Sequence, residues 1–113
     1  MGNCVVVVPS TLHPLSATDF YSVLDTSDVP AGVVNIVTGE ANALAATLAE
    51  HDGVDALWYV GDHPGGTKVE VLSAGNLKAT WVTATQPDWS RAEGREFLGR
   101  AVQVKNIWTP YGE

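Results

Sequence analysis

A mainly parallel α/β domain is predicted by three observations. Short β-branched runs alternate with stretches of helical apolar spacing, and proline or glycine stands at nearly every junction. Four such runs with three helical segments between them have the rhythm of right-handed crossovers. The expected architecture is therefore a four-stranded sheet with flanking helices, followed by a C-terminal helix and an edge strand.

Taken in order, Cys4 to Val8 is an unbroken β-branched run closed by Pro9, as for a strand buried on both faces. Ser16-Ala17-Thr18-Asp19 has capping-box spacing, and Phe20, Val23 and Leu24 recur at helical intervals until about Thr26. Asp28-Val29-Pro30-Ala31-Gly32 is a turn, and Val33 to Val37 a second strand. An Ala- and Leu-rich helix runs from about Glu40 to Glu50, its apolar face carried by Leu44, Ala45 and Leu48. Gly53 ends it, and Asp55 to Val60 is the third strand. The loop Gly61-Asp62-His63-Pro64-Gly65-Gly66 follows, then a weaker helix from Thr67 to about Ala74 and a fourth strand from Leu77 to Val82.

The character then changes. Thr83 to Trp89 is a polar connection, and Ser90-Arg91-Ala92-Glu93 is a capping box opening a helix with Phe97, Leu98 and Ala101 on one face. Val102 to Trp108 reads as an edge strand, ended by Pro110 and Gly112. Two units follow from this division: residues 1–83, and residues 84–113 as linker, helix and terminal strand.

The chain has 113 residues, one small domain's worth, with six Lys plus Arg against thirteen Asp plus Glu. A net charge of −7 argues against nucleic acid and anionic membrane as partners, since both demand a basic face. No apolar run approaches the ~20 residues of a membrane helix. The start Met1-Gly2-Asn3-Cys4 lacks the Ser or Thr that a myristoylation signal wants at the sixth position, where Val6 stands. A single cysteine, Cys4, excludes an internal disulfide and fits a reducing compartment; the cytoplasm is the expected location.

Gly2-Asn3 with the valine strand, Pro9-Ser10, His13-Pro14-Leu15-Ser16 and the run from Val29 to Gly39 together resemble the coenzyme-binding half of the aldehyde dehydrogenase superfamily. Asp55 to Gly61 is similar to that family's third strand and the start of its cofactor loop, and Asn76-Leu77-Lys78 to the lead into its next strand. Val102 to Trp108 resembles its C-terminal oligomerisation strand. The resemblance implies a Rossmann-like fold and, for an intact member, NAD or NADP. It is nearest to the truncated second module at the C-terminus of some two-module aldehyde dehydrogenases.

The residues that carry the family's chemistry are replaced. Its ribose-holding Lys and Glu correspond to Val8 and Thr11, and the third-strand ending Phe-Thr-Gly-Ser to Tyr59-Val60-Gly61-Asp62. A carboxylate at Asp62, about 4 Å from a pyrophosphate charge at an effective dielectric near 20, costs about 4 kcal/mol, roughly a thousandfold in affinity. The general-base Glu falls at about Thr83, and Cys4 lies far from the place of the thiol nucleophile. Val8, Thr11, Val60, Gly61 and Asp62 are thus degenerate cofactor positions, with neither cofactor nor catalytic residue expected.

Other chemistry is thin. His13, His51 and His63 lack metal-ligand spacing, so no metal site is expected, and Asp62-His63 has no nucleophile to serve. They read as a turn residue, a last-turn helix residue and a loop residue. Ser10 and Ser73 lack a nucleophile elbow, and Cys4 is expected to be buried and inert. Trp58 and Trp81 suit a core, whereas Trp89 and Trp108 suit a binding surface. The expected interface comprises Val102, Val104, Lys105, Ile107, Trp108 and Tyr111. Its expected partner is a catalytic aldehyde dehydrogenase domain in cis or trans, or a second copy. The alternative is an NAD(P)-dependent aldehyde oxidoreductase or a component of one.

Overall fold

The computed structural model describes residues 2–91 and 94–112. The strands are β1 (Val5–Val7), β2 (Val34–Ile36), β3 (Ala56–Val60) and β4 (Ala79–Thr83). The α-helices are α1 (Pro14–Asp25), α2 (Ala41–Glu50), α3 (His63–Ser73) and α4 (Arg95–Arg100), with short 3₁₀ turns at Ala74–Asn76 and Trp89–Arg91.

All strand pairing among the described residues is parallel, as the alternation predicts. It forms two pairs, not the single four-stranded sheet expected. β1 pairs with β2, Val6 opposite Asn35, and β3 with β4, Trp58 opposite Trp81. β1 and β3 each keep one edge unpaired. For β1 the consequence is exposure: Val5, Val6 and Val7 are 43, 46 and 37% exposed, and Cys4 is exposed too, both against expectation. A β-branched run declares that a strand will form, but its burial depends on neighbours that the run itself does not encode.

The core lies between α2, α3 and the β3–β4 pair. Ala45, Ala49, Leu57 and Val69 are buried, with Leu48, Tyr59, Leu72 and Val82 packed around them. Alanines on α2 let the helices approach closely, as the predicted face at Leu44, Ala45 and Leu48 requires. Lys78 completes this unit. Its ammonium donates to the carbonyls of Leu48 at 3.0 Å and His51 at 2.8 Å, closing the C-terminus of α2 with positive charge. His51 itself is the C-cap, beyond the last turn, and its Nδ1 accepts from the Gly53 amide at 2.9 Å.

The opposite face of β3–β4 carries Trp58 and Trp81, in edge-to-face contact at 5.1 Å. Phe97 of α4 packs on both, Trp89 packs on Phe97, and the Arg100 guanidinium lies 5.2 Å from the Trp81 ring centre. The tail thus starts by folding back over the sheet.

Several boundaries differ from expectation. α1 begins at Pro14, ahead of the Ser16 capping box, because proline at the first helical position forfeits no hydrogen bond. Its Phe20 and Val23 are more than half exposed, since α1 has only the narrow β1–β2 pair beneath it. α3 begins at His63 and absorbs the glycines read as loop, because Asp62 caps it and Pro64 fits its first turn. β4 starts at Ala79, as Leu77 takes a left-handed conformation (φ 57°) that ends the preceding turn. Gly32, at φ 83°, closes the turn before β2, where only glycine is unstrained. The expected capping box at Ser90-Arg91-Ala92-Glu93 falls partly outside the described residues, and α4 starts from Gly94 without a side-chain cap.

The terminal strand does not form. Residues 102–108 carry no regular secondary structure and join neither strand pair.

Candidate functional site

The C-terminal ends of β1, β2 and β3 and the N-termini of α1, α2 and α3 lie where an α/β fold presents its ligand loops. Each of the last two helix starts is closed by the chain's own carboxylate. Glu40 Oε1 accepts from the Asn42 amide at 2.9 Å and its Oε2 from Ala43 at 2.6 Å. Asp62 Oδ1 accepts from the Gly65 amide at 3.1 Å. Both carboxylates already hold the helix amides that would greet an anion.

Tyr59 ties the two caps together. Its hydroxyl donates to Asn42 Oδ1 at 3.0 Å and stands 3.4 Å from Asp62 Oδ1, while its ring lies over the Gly61–Gly65 turn. A Cβ at Gly65 would fall on the Tyr59 hydroxyl, so this turn tolerates the phenol only because the position is glycine. Burial first, then the Asp62 charge and hydrogen bond and the more distant Glu40, push the phenol above its usual 10.0. It remains a proton donor throughout the neutral range. Beneath it only about 10 Å³ is open, among Asn42, Ala45, Ala46, Gly65, Lys68 and Val69.

A wider cleft of about 340 Å³ lies beside the β1–α1 and β2–α2 loops, lined by Thr11, Pro14, Leu15, Thr18, Thr38 and Gly39. Its polar groups are hydroxyls and backbone; no lining side chain is charged. The positions expected to be degenerate therefore divide. Thr11 lines this cleft, whereas Val60, Gly61 and Asp62 belong to the Tyr59 turn, and Val8 is half-buried at the end of β1. Asp62 thus places a carboxylate at the α3 N-terminus, on the Gly65 amide.

No group of three or more His, Cys, Asp or Glu is arranged for a metal among the described residues. His13 precedes α1, and His63 stands at the exposed start of α3, not in a loop. Ser73 Oγ is buried without a partner among the described residues, on the far end of α3 from the caps. Sequence reasoning missed Tyr59 as the organiser of the site. Its signal was available: an aromatic hydroxyl two and six residues before glycines, with an aspartate between.

The tail residues sit apart from both clefts. Val104, Ile107, Trp108 and Tyr111 are 86, 90, 87 and 103% exposed, with Lys105 exposed among them. Val102, nearer the body, is 46% exposed. Among the described residues no helix is long and apolar enough to cross a membrane.

Comparison with known proteins places this frame. Residues 1–84 match the aldehyde dehydrogenase family. Over 78 residues the chain is 44% identical to the 2-hydroxymuconic semialdehyde dehydrogenase of Pseudomonas putida, covering 68% of this chain and 16% of that protein. It is 36% identical over 78 residues to an aldehyde dehydrogenase of Agaricus bisporus, again 68% and 16% of the respective chains. The crystal structure of an aldehyde dehydrogenase from Bartonella henselae superposes with a TM-score of 0.66 at 26% identity, over 70% of this chain and 17% of that one. The chain thus spans about a sixth of the length of these relatives. With most of its length matched and the α/β frame shared, the chain belongs to the aldehyde dehydrogenase family.

Proposed function

We propose that the chain is a catalytically silent aldehyde dehydrogenase module acting in assembly, its C-terminal segment docking on a catalytic dehydrogenase domain in the same polypeptide or in a partner. One observation carries the reading: the helix starts that would receive a dinucleotide are closed by Glu40 and Asp62, while Val104, Ile107, Trp108 and Tyr111 face solvent. Large apolar groups left in water gain roughly 25 cal/mol for each Å² they bury against a partner. Cys4, exposed and unpaired, suits a reducing cytoplasm.

The test uses the full chain and a form ending at residue 101. Light scattering and titration against a catalytic aldehyde dehydrogenase domain should show association that requires residues 102–113. If removing them changes neither self-association nor capture, the assembly reading fails.

A second reading, an aldehyde oxidoreductase component, is favoured by the 340 Å³ cleft at the strand ends. Micromolar NAD or NADP binding by calorimetry would establish it over the first.

A further inference from the structure

We infer that the outward face of α1 is a docking surface for a basic amphipathic segment of another protein, with apolar residues along one side and Lys or Arg at its edges. The surface is separate from the C-terminal segment and goes beyond the docking role proposed above.

Helical geometry divides α1 into two sides. Pro14, Ala17 and Leu24 are half-buried, and their spacing turns them together toward β2, on which the helix rests. Leu15, Asp19 and Val23, at i, i+4 and i+8, run along the other side, and Phe20 flanks Val23. Leu15, Phe20 and Val23 are 73, 53 and 56% exposed, and no residue of α1 is buried. Single exposed apolar groups are ordinary, but here three large ones adjoin along one helix and nothing in the fold uses them.

Charge states what covers them. Residues 1–67 contain eight Asp or Glu and no Lys or Arg. Three of those acids belong to this surface, and all three are exposed. Asp19 stands between Leu15 and Val23, and Asp25 is the last residue of α1. Asp28 follows in a turn that the Ser27 amide holds to the helix end by donating to the Leu24 carbonyl at 3.1 Å. α1 has no acid in its first turn and no base in its last. Its carbonyls end beside Asp25 with partial negative charge, so this acid sits where helices least favour one. Local conflict of this kind is expected where a surface serves a partner. A partner's Lys or Arg over Asp19 and the last turn relieves it, while apolar side chains cover Leu15, Phe20 and Val23. An anionic bilayer is repelled by the same carboxylates.

Fluorescence anisotropy of the full chain with a labelled amphipathic peptide of Leu and Lys, and with its Leu and Glu counterpart, tests this. The Lys peptide should bind and the Glu peptide should not. Val23→Asp, at an exposed position that leaves the fold intact, should weaken binding about tenfold, since a carboxylate then meets the peptide's apolar side. Asp25→Asn with Asp28→Asn should weaken it about fivefold and flatten its salt dependence. Glu50→Gln with Asp52→Asn removes the same charge from beside the end of α2 and should change it less than about twofold. Equal weakening by the two double variants would mean general acidity and overturn the inference. So would absence of binding, equal binding of the Glu peptide, or preference for phosphatidylcholine vesicles over the Lys peptide. A dimer seen by light scattering and abolished by Val23→Asp makes the cover a second copy, and overturns it too. Removing residues 102–113 should leave peptide binding unchanged, so failure of the tail's docking role and failure of this surface are told apart.

Discussion

Replacing Asp62 by serine isolates the charge at the α3 start. Serine also caps helices, so the Gly65 amide keeps an acceptor and the fold is preserved. What disappears is one negative charge a few ångströms from any anion bound there. The Coulomb term at about 4 Å is about 1 kcal/mol in bulk water and about 4 kcal/mol at an effective dielectric of 20. Asp62 is exposed, yet it sits against the Tyr59 ring and the α3 amides, so the effect lies between those bounds, about 2 kcal/mol. Calorimetric titration with inorganic pyrophosphate should therefore show binding about thirtyfold tighter for Asp62→Ser than for the unaltered chain. The gain should shrink as salt is raised. Equal affinities at low salt, or tight binding by the unaltered chain, would refute the argument that this carboxylate closes the anion position.

Three further outcomes follow from the same geometry. Lys78→Met should cost about 2 kcal/mol in urea denaturation, because two charge-assisted bonds to α2 carbonyls disappear; a loss below about 0.5 kcal/mol would mean that water substitutes for the ammonium. Leu77→Gly should raise stability by about 1 kcal/mol and the melting temperature by about 4 °C, since Leu77 is left-handed and 89% exposed. Tyr59 gives the chain an alkaline limit. Its phenol ionises at 10.0 when unfolded but higher when folded, so its stabilisation is complete below pH 10 and lost as pH rises through the folded value. Between pH 9 and 11 the urea midpoint should fall more in the unaltered chain than in Tyr59→Phe.

The strand–helix alternation was legible because each strand is a compact β-branched run and α2 has an unambiguous apolar face. Which strands would be neighbours was not. Val5, Val6 and Val7 form the most strand-like run in the chain, yet they are substantially exposed, because burial is a property of the assembled layers. The start of α3 had its signal, an aspartate cap with proline in the first turn, against which Gly65 and Gly66 argued for a loop. Lys78 had none: it acts on carbonyls 27 and 30 residues earlier, and nothing local marks a lysine for that purpose. In the site, Val8 and Thr11 could be compared with the family pattern one position at a time. The joining of Asn42, Tyr59 and Asp62 required the fold.

Every indole outside the terminal segment stands on or beside the β3–β4 pair, for no tryptophan precedes Trp58. Indole emission is therefore blind to β1, α1 and β2, which carry Phe20 and Tyr21 as their own aromatic reporters. The two strand pairs share no ladder, and their melting need not coincide. Emission from Trp58 and Trp81 set against the Tyr21 signal during heating would reveal whether this small chain melts as one cooperative unit or two.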